Sequence, residues 1–132
     1  HSRTGLLVKE SRFLAGCANI GPTGAEPWRP GRVLFYPSRE VAEPSLVVDI
    51  SDHYDAKLHA IAAHASQLHD PKSSEPPTTI ATRGFLAMID ARATYWGSLI
   101  GVERGEAYVV EGPLAIADPT DAVRDPGQSI FL

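Results

Sequence analysis

The feature that most constrains the fold is the run Ser45-Leu-Val-Val-Asp-Ile50 and the serine that follows it, Ser51. A short, almost unbroken apolar run is the pattern of a strand covered on both faces by helices, here interrupted only by the carboxylate of Asp49. Ser51 suits a helix N-cap, and Asp52 and Asp55 place negative charge in the first turn. The helix is predicted to continue to about Leu68, with Tyr54, Leu58, Ile61, Ala62 and Leu68 as its apolar face. A strand that delivers directly into a helix is the step from which layered α/β folds are built.

The flanking segments extend this pattern. Residues from about Ser2 to Cys17 fit an amphipathic helix that runs out at Gly16, and Asn19 to Pro30 is a Gly- and Pro-rich loop. Arg32-Val-Leu-Phe-Tyr36, closed by Pro37, reads as a strand. Residues 69 to 79 carry three prolines, Pro71, Pro76 and Pro77, and no apolar side chain of size, so they are expected to be a mobile connection suited to a lid. A second long helix is predicted from about Arg83 to Ile100, ending at Gly101, with Phe85, Met88, Ile89, Tyr95, Trp96 and Leu99 supplying apolar surface. Tyr95 and Trp96 are expected in the core or at a subunit interface rather than as sugar-stacking platforms. Glu106-Ala-Tyr-Val-Val110 reads as a final strand, and the tail from Pro113 as extended and at best partly ordered.

Composition sets outer bounds. The chain has 132 residues, 43% hydrophobic and 21% charged, with a formal charge of -4 and a pI near 5.7. That is enough for one domain, and it supplies no broad basic field for nucleic acid or anionic membrane. The single cysteine, Cys17, rules out an internal disulfide framework, fits a reducing cytoplasm, and is expected to be buried and inert. No stretch approaches the roughly 18 apolar residues of a spanning helix. The only methionine is Met88, helical periodicity runs from the first residues, and three strands are few for a free-standing sheet. The expectation is therefore a fragment or a processed piece of a longer protein, with further strands outside it.

The five histidines, His1, His53, His59, His64 and His69, do not form the i, i+4 pair with an intervening Glu that marks a helical zinc site. On one continuous helix, His53 and His64 lie 11 residues apart, about three turns, and would share a face roughly with Gln67. Nucleophile elbows, phosphate-binding glycine loops, paired cysteines and calcium loops are absent. Residue chemistry alone reaches an α/β piece with an unusual polar cluster, His64-Ala-Ser-Gln67.

Motif order reaches further. His1-Ser-Arg-Thr-Gly-Leu-Leu-Val-Lys-Glu-Ser-Arg-Phe-Leu-Ala-Gly16 resembles the segment that begins at the second His of the His-Pro-Asp-His motif in LmbE-like (PIG-L family) N-acetylglucosamine deacetylases. Pro44-Ser-Leu-Val-Val-Asp-Ile-Ser51 is similar to the strand before that family's last helix, and Lys57 with His64-Ala-Ser-Gln67 resembles the helix itself. Ala91-Arg-Ala-Thr-Tyr-Trp-Gly97 and Gly105-Glu-Ala-Tyr108 are similar, in the same order, to the branch that makes glucosamine-malate for bacillithiol. The resemblance covers roughly residues 1 to 116 and leaves 117 to 132 as a Pro- and Asp-rich tail.

The resemblance implies a Rossmann-like, three-layer α/β fold, of which this chain would be the C-terminal portion, about three strands and three helices. It implies one Zn²⁺ per active site, held by a His and an Asp of an N-terminal motif and by the position onto which His1 maps. Three protein ligands and an open position let the metal activate water and polarise an amide carbonyl. The family's general base is an Asp of that N-terminal motif, so these residues would supply one ligand and part of a pocket but no catalytic residue, and this portion alone would be inactive.

Two roles are open for His64 and Gln67, facing the metal cleft or locking the helix to the sheet by buried hydrogen bonds. Arg92 is a candidate for holding a substrate carboxylate such as a malyl group, or for an ion pair with Asp49 or Glu106. Glu106 is a pocket residue or the partner of Arg92. The function expected is a cytoplasmic zinc-dependent hydrolase that removes the N-acetyl group from a small amino-sugar conjugate, N-acetylglucosaminyl malate first, with homo-oligomers as the family's habit. The alternative, from the absence of a complete active site, is a non-catalytic α/β binding or assembly module.

Overall fold

The computed structural model describes residues 2–21, 24, 26–37, 42–72, 74, 76 and 78–122. Its elements are α1 (Ser2–Leu14), β1 (Leu34–Phe35), β2 (Leu46–Asp49), α2 (Tyr54–Ala62), α3 (Gly84–Leu99), β3 (Gly105–Val110) and α4 (Pro119–Ala122). The strands form one sheet in the order β1-β3-β2. β1 runs antiparallel to β3, with Leu34 opposite Val110 and Phe35 opposite Val109. Ser45 N–H donates to Tyr108 O and Ile50 N–H to Arg104 O, so the β2 strand also runs against β3. The chain groups into two compact units, His1–Ser45 with Tyr108–Leu114, and Leu46–Ala107 with Ala115–Leu132.

The expected strand at 32–36 is paired only over two residues. Its register explains the shortening, because Val33 would fall opposite Glu111, beyond the end of β3, where Gly112 turns away at φ 78°. In the same unit, α1 stops at Leu14, close to the expected end. The Arg29 guanidinium occupies the space that a Cβ on Gly16 would need, 2.5 Å from it, and donates from Nη2 to Phe13 O at 3.2 Å. The amphipathic reading of α1 is not matched by burial within the described residues. Leu6, Leu7, Phe13 and Leu14 remain 41–64% exposed.

In the second unit the run 45–50 forms β2 as expected, but it is not covered on both faces among the described residues, since Val48 is 42% exposed. The single helix expected from Ser51 to Leu68 is broken into a 3₁₀ turn at Ser51–His53, α2, and a second 3₁₀ turn at Ala65–Gln67. Ser51 does not cap it by its side chain, which is engaged elsewhere, as described below. At the far end His64 leaves helical geometry at φ -91°, ψ 41°, so the shared helical face of His53, His64 and Gln67 does not form.

The α3 helix keeps its expected bounds to within a residue. Ala93 and Gly97 are buried, and the stripe through Phe85, Met88, Ile89, Arg92 and Trp96 is half-buried, the i, i+3, i+4 pattern of a helix lying on a sheet. Tyr95 is 56% exposed while Trp96, 4.8 Å away ring to ring, turns inward. The helix ends as glycine at 101 predicts. Gly101 takes φ 72° and Val102 N–H donates to Gly97 O at 3.0 Å, which satisfies an end carbonyl. The tail holds one helical turn, α4, where an extended segment was expected. Asp118 accepts from both Thr120 N–H at 2.8 Å and Thr120 Oγ1 at 2.7 Å, and Pro119 presets the first helical residue. No helix among the described residues is long and apolar enough to cross a membrane.

Candidate functional site

The chemistry-bearing residues concentrate in the second unit, where β2 gives way to the 3₁₀ turn and β3 begins. Ser51 Oγ donates to Asp49 Oδ1 at 2.7 Å and accepts from Arg104 N–H at 3.1 Å, so one hydroxyl stitches the end of β2 to the start of β3. Ser51 N–H adds a second donor to Asp49 at 2.9 Å. The hydroxyl first and the amide second hold the Asp49 carboxyl below the usual range, because both stabilise its charged form.

Beside this lies a cluster that joins α2, α3 and the start of β3. Tyr54, only 7% exposed, donates its hydroxyl to Asp90 Oδ1 at 3.0 Å. Arg104 Nη2 reaches the same carboxylate oxygen at 3.2 Å, and its guanidinium stands 4.9 Å over the Tyr54 ring. Burial, reinforced by the bond to Asp90, pushes the Tyr54 phenol up, which keeps it a donor. Arg104 Nε is buried without a partner among the described residues. Sequence reading placed Tyr54 in an apolar face and passed over Asp90 and Arg104. Asp90 stands out only as a carboxylate on a predominantly apolar helix, and at 53% side-chain exposure it does not by itself call for a partner.

Of the residues expected at the site, Glu106 and Lys57 are brought together, with Lys57 Nζ donating to Glu106 Oε1 at 2.6 Å. Glu106 alternates in β3 away from Gly105, the residue against which α3 packs, and both side chains of the pair are about 30% exposed. Arg92 is half-buried on the inward stripe of α3. Asp49 is engaged by Ser51, as described. His64 and Gln67 lie on the 3₁₀ turn beyond α2 and are exposed, which does not fit buried hydrogen bonds that lock a helix. His1 lies outside the described residues. Cys17 is half-buried, with Sγ 3.6 Å from Phe13 O. Among the described residues no group of three His, Cys, Asp or Glu side chains is placed to hold a metal ion. The described residues by themselves do not make up a zinc site.

The main-chain frame around this site is tight. A Cβ on Gly105 would lie 2.6 Å from Gly97 N and 2.7 Å from the carbonyl carbon of Trp96, and one on Gly97 would lie 2.7 Å from Val102 O. α3 and β3 meet backbone to backbone, which only glycine permits. This contact sets the helix that carries Asp90 and Arg92 against the strand that carries Glu106.

No family model matches the chain. It is similar to the solved structure of a conserved protein from Thermus thermophilus, 30% identical with a TM-score of 0.72, over 89% of this chain and 48% of that one. It is also similar to N,N'-diacetylchitobiose deacetylase from Pyrococcus horikoshii, solved with an inhibitor, 28% identical with a TM-score of 0.62, over 83% of this chain and 39% of that one. The chain therefore spans less than half the length of either structure. Its α/β architecture, a three-stranded antiparallel sheet with the helices α1 to α3, matches part of a deacetylase fold.

Proposed function

We propose that the chain is the C-terminal part of a deacetylase of the LmbE-like class, hydrolysing the N-acetyl amide of an N-acetylglucosamine conjugate to a free amine and acetate. The observation that carries this reading is the likeness at 28% identity, over 83% of the chain, to a protein that deacetylates a chitobiose. The ordered motifs from His1 to Tyr108 support the finer reading, N-acetylglucosaminyl malate as substrate and Zn²⁺ as the metal, with His1 as one ligand and the others outside these residues. In this reading Arg92 meets a substrate carboxylate, for which its planar fork is suited. Lys57 holds Glu106 at the start of β3, and His64 and Gln67 face the cleft from their exposed turn. A cytoplasmic location and assembly into homo-oligomers belong to the same proposal.

The test uses the protein with all the segments its longer relatives possess. Release of free amine from N-acetylglucosaminyl malate should stop on chelation and return with Zn²⁺, and His1→Ala should abolish the return. Activity that survives both treatments overturns the metal reading. Arg92→Lys should raise KM about ten-fold for the malyl conjugate with little change for neutral N-acetylglucosamine, because a lysine keeps the charge but loses the bidentate fork. The absence of a metal-holding cluster among the described residues favours a second reading, a non-catalytic binding or assembly module. A purified longer protein with no amidase activity on any N-acetyl sugar, Zn²⁺ present, would select it.

A further inference from the structure

Beyond α2, the second unit has an open groove that the deacetylase reading does not use. Its volume is about 320 Å³, near the lower end of small-molecule sites. Leu68, Ile80, Phe85 and Leu86 give it an apolar lining, and His69 and Arg83 stand at its wall. The connection between Leu68 and Ile80 has no large aliphatic side chain with which to fill it. Leu86 stays 47% exposed although it sits at the start of a helix whose stripe packs inward.

The polar side of the pocket is cationic and oriented. Arg83 Nε donates to His69 Nε2 at 3.3 Å, which orients the guanidinium plane. Arg83 has no carboxylate partner among the described residues, and its two terminal nitrogens carry four N–H donors not used by His69. A guanidinium held by a ring nitrogen rather than a carboxylate, and facing apolar walls, is suited to a monoanion with a hydrocarbon body.

We infer that this pocket binds a small amphiphilic carboxylate, its hydrocarbon against Leu68, Ile80, Phe85 and Leu86 and its carboxylate on Arg83. At roughly 30 Å³ per water-sized heavy atom the space suits a body of about ten heavy atoms, the size of octanoate. This inference does not depend on the deacetylase reading, because it concerns binding alone.

The experiment takes the protein with all the segments its longer relatives possess and titrates it with octanoate, acetate and 1-octanol, followed by methyl and aromatic NMR. Octanoate should bind at least ten-fold tighter than acetate, since each fully buried methylene contributes about four-fold. It should also bind about ten-fold tighter than octanol, with shifts centred on Ile80, Phe85 and Leu86. Arg83→Gln, an exposed change, should erase the advantage of octanoate over octanol and leave octanol binding unaltered. Leu86→Ser should weaken both. Octanoate binding that Arg83→Gln leaves intact, an acetate affinity equal to that of octanoate, or shifts centred on other residues would overturn the inference.

Discussion

Two glycines set the units of this chain apart. Gly105, in the second unit, has main chain of α3 within 2.7 Å of where a Cβ would stand, whereas Gly5, in the first, has only the Phe35 ring edge at 3.9 Å. Burial follows the same division. Tyr54, Ala93 and Ala107 of the second unit are buried apolar residues, while Val110 is the one such residue of the first among the described residues. The second unit is held by backbone proximity and a partly buried polar cluster. The first has the short β1–β3 pairing and is otherwise held by side chains at the surface, such as Lys9 with Glu111 and Arg12 with the carbonyls of Pro30 and Gly31. The lesson is that side-chain changes should be felt very unequally along this chain.

The largest expected effect tests that inequality where it is sharpest. Gly105→Ala forces main chain apart and should destabilise by about 3 kcal/mol, at the upper end of overpacking costs, measured as the loss in urea midpoint at constant slope. A loss below 0.5 kcal/mol would mean that α3 can lift from β3 freely, and the contrast between units would collapse.

Tyr54→Phe comes next, removing the bond to Asp90 at a cost of about 1 kcal/mol. It also has a pH signature. The phenol of Tyr54 is raised in the folded state, so its contribution is full below the unfolded value near ~10 and is lost as pH rises through the folded value. Urea unfolding between about pH 8 and 11 should therefore show a steeper alkaline loss for the wild type than for Tyr54→Phe.

The first unit should respond in the opposite direction. Gly5→Ala meets no close neighbour and relieves the entropy cost of a glycine in the first turn of α1, so it should stabilise by roughly 0.5 kcal/mol. Thermal melting of the two alanine variants side by side would show opposite signs for the same chemical change. The smallest effect is expected for Lys9→Ala. Its pair with Glu111 is more than half exposed on both sides, and its loss should cost under about 0.5 kcal/mol and vanish in high salt.

How much of this was legible in the sequence depends on where the deciding forces sit. Gly101 announced the end of α3 because its left-handed φ is a local requirement. β2 was legible in its apolar run for a similarly local reason. The break between Ala62 and Ala65 was not, since Ala62, Ala63 and Ala65 are good helix formers and nothing in the local chain opposes a continuous helix. The length of β1 was hidden as well, because it is fixed by where β3 ends, a property of another strand. At the site, Lys57 and Glu106 were each singled out, but their pairing, 49 residues apart in sequence, came only with the fold. Tyr54, Asp90 and Arg104 escaped because each alone looks ordinary, and only their convergence on one carboxylate oxygen gives them meaning.

The Gly97–Gly105 crossing has a consequence for how sequences of this kind can vary. An ordinary enlargement inside a protein is accommodated by trimming the neighbour it strikes, so large and small residues can trade places over generations. Here the two nearest groups are Gly97 N and Trp96 C, peptide atoms with nothing to trim, with Val47 Cγ1 beside them at 2.9 Å. No partner substitution can restore the fit, and both positions are closed to drift. Variation in this part of the molecule is left to residues such as Tyr95 and Leu99, which face outward from the same helix.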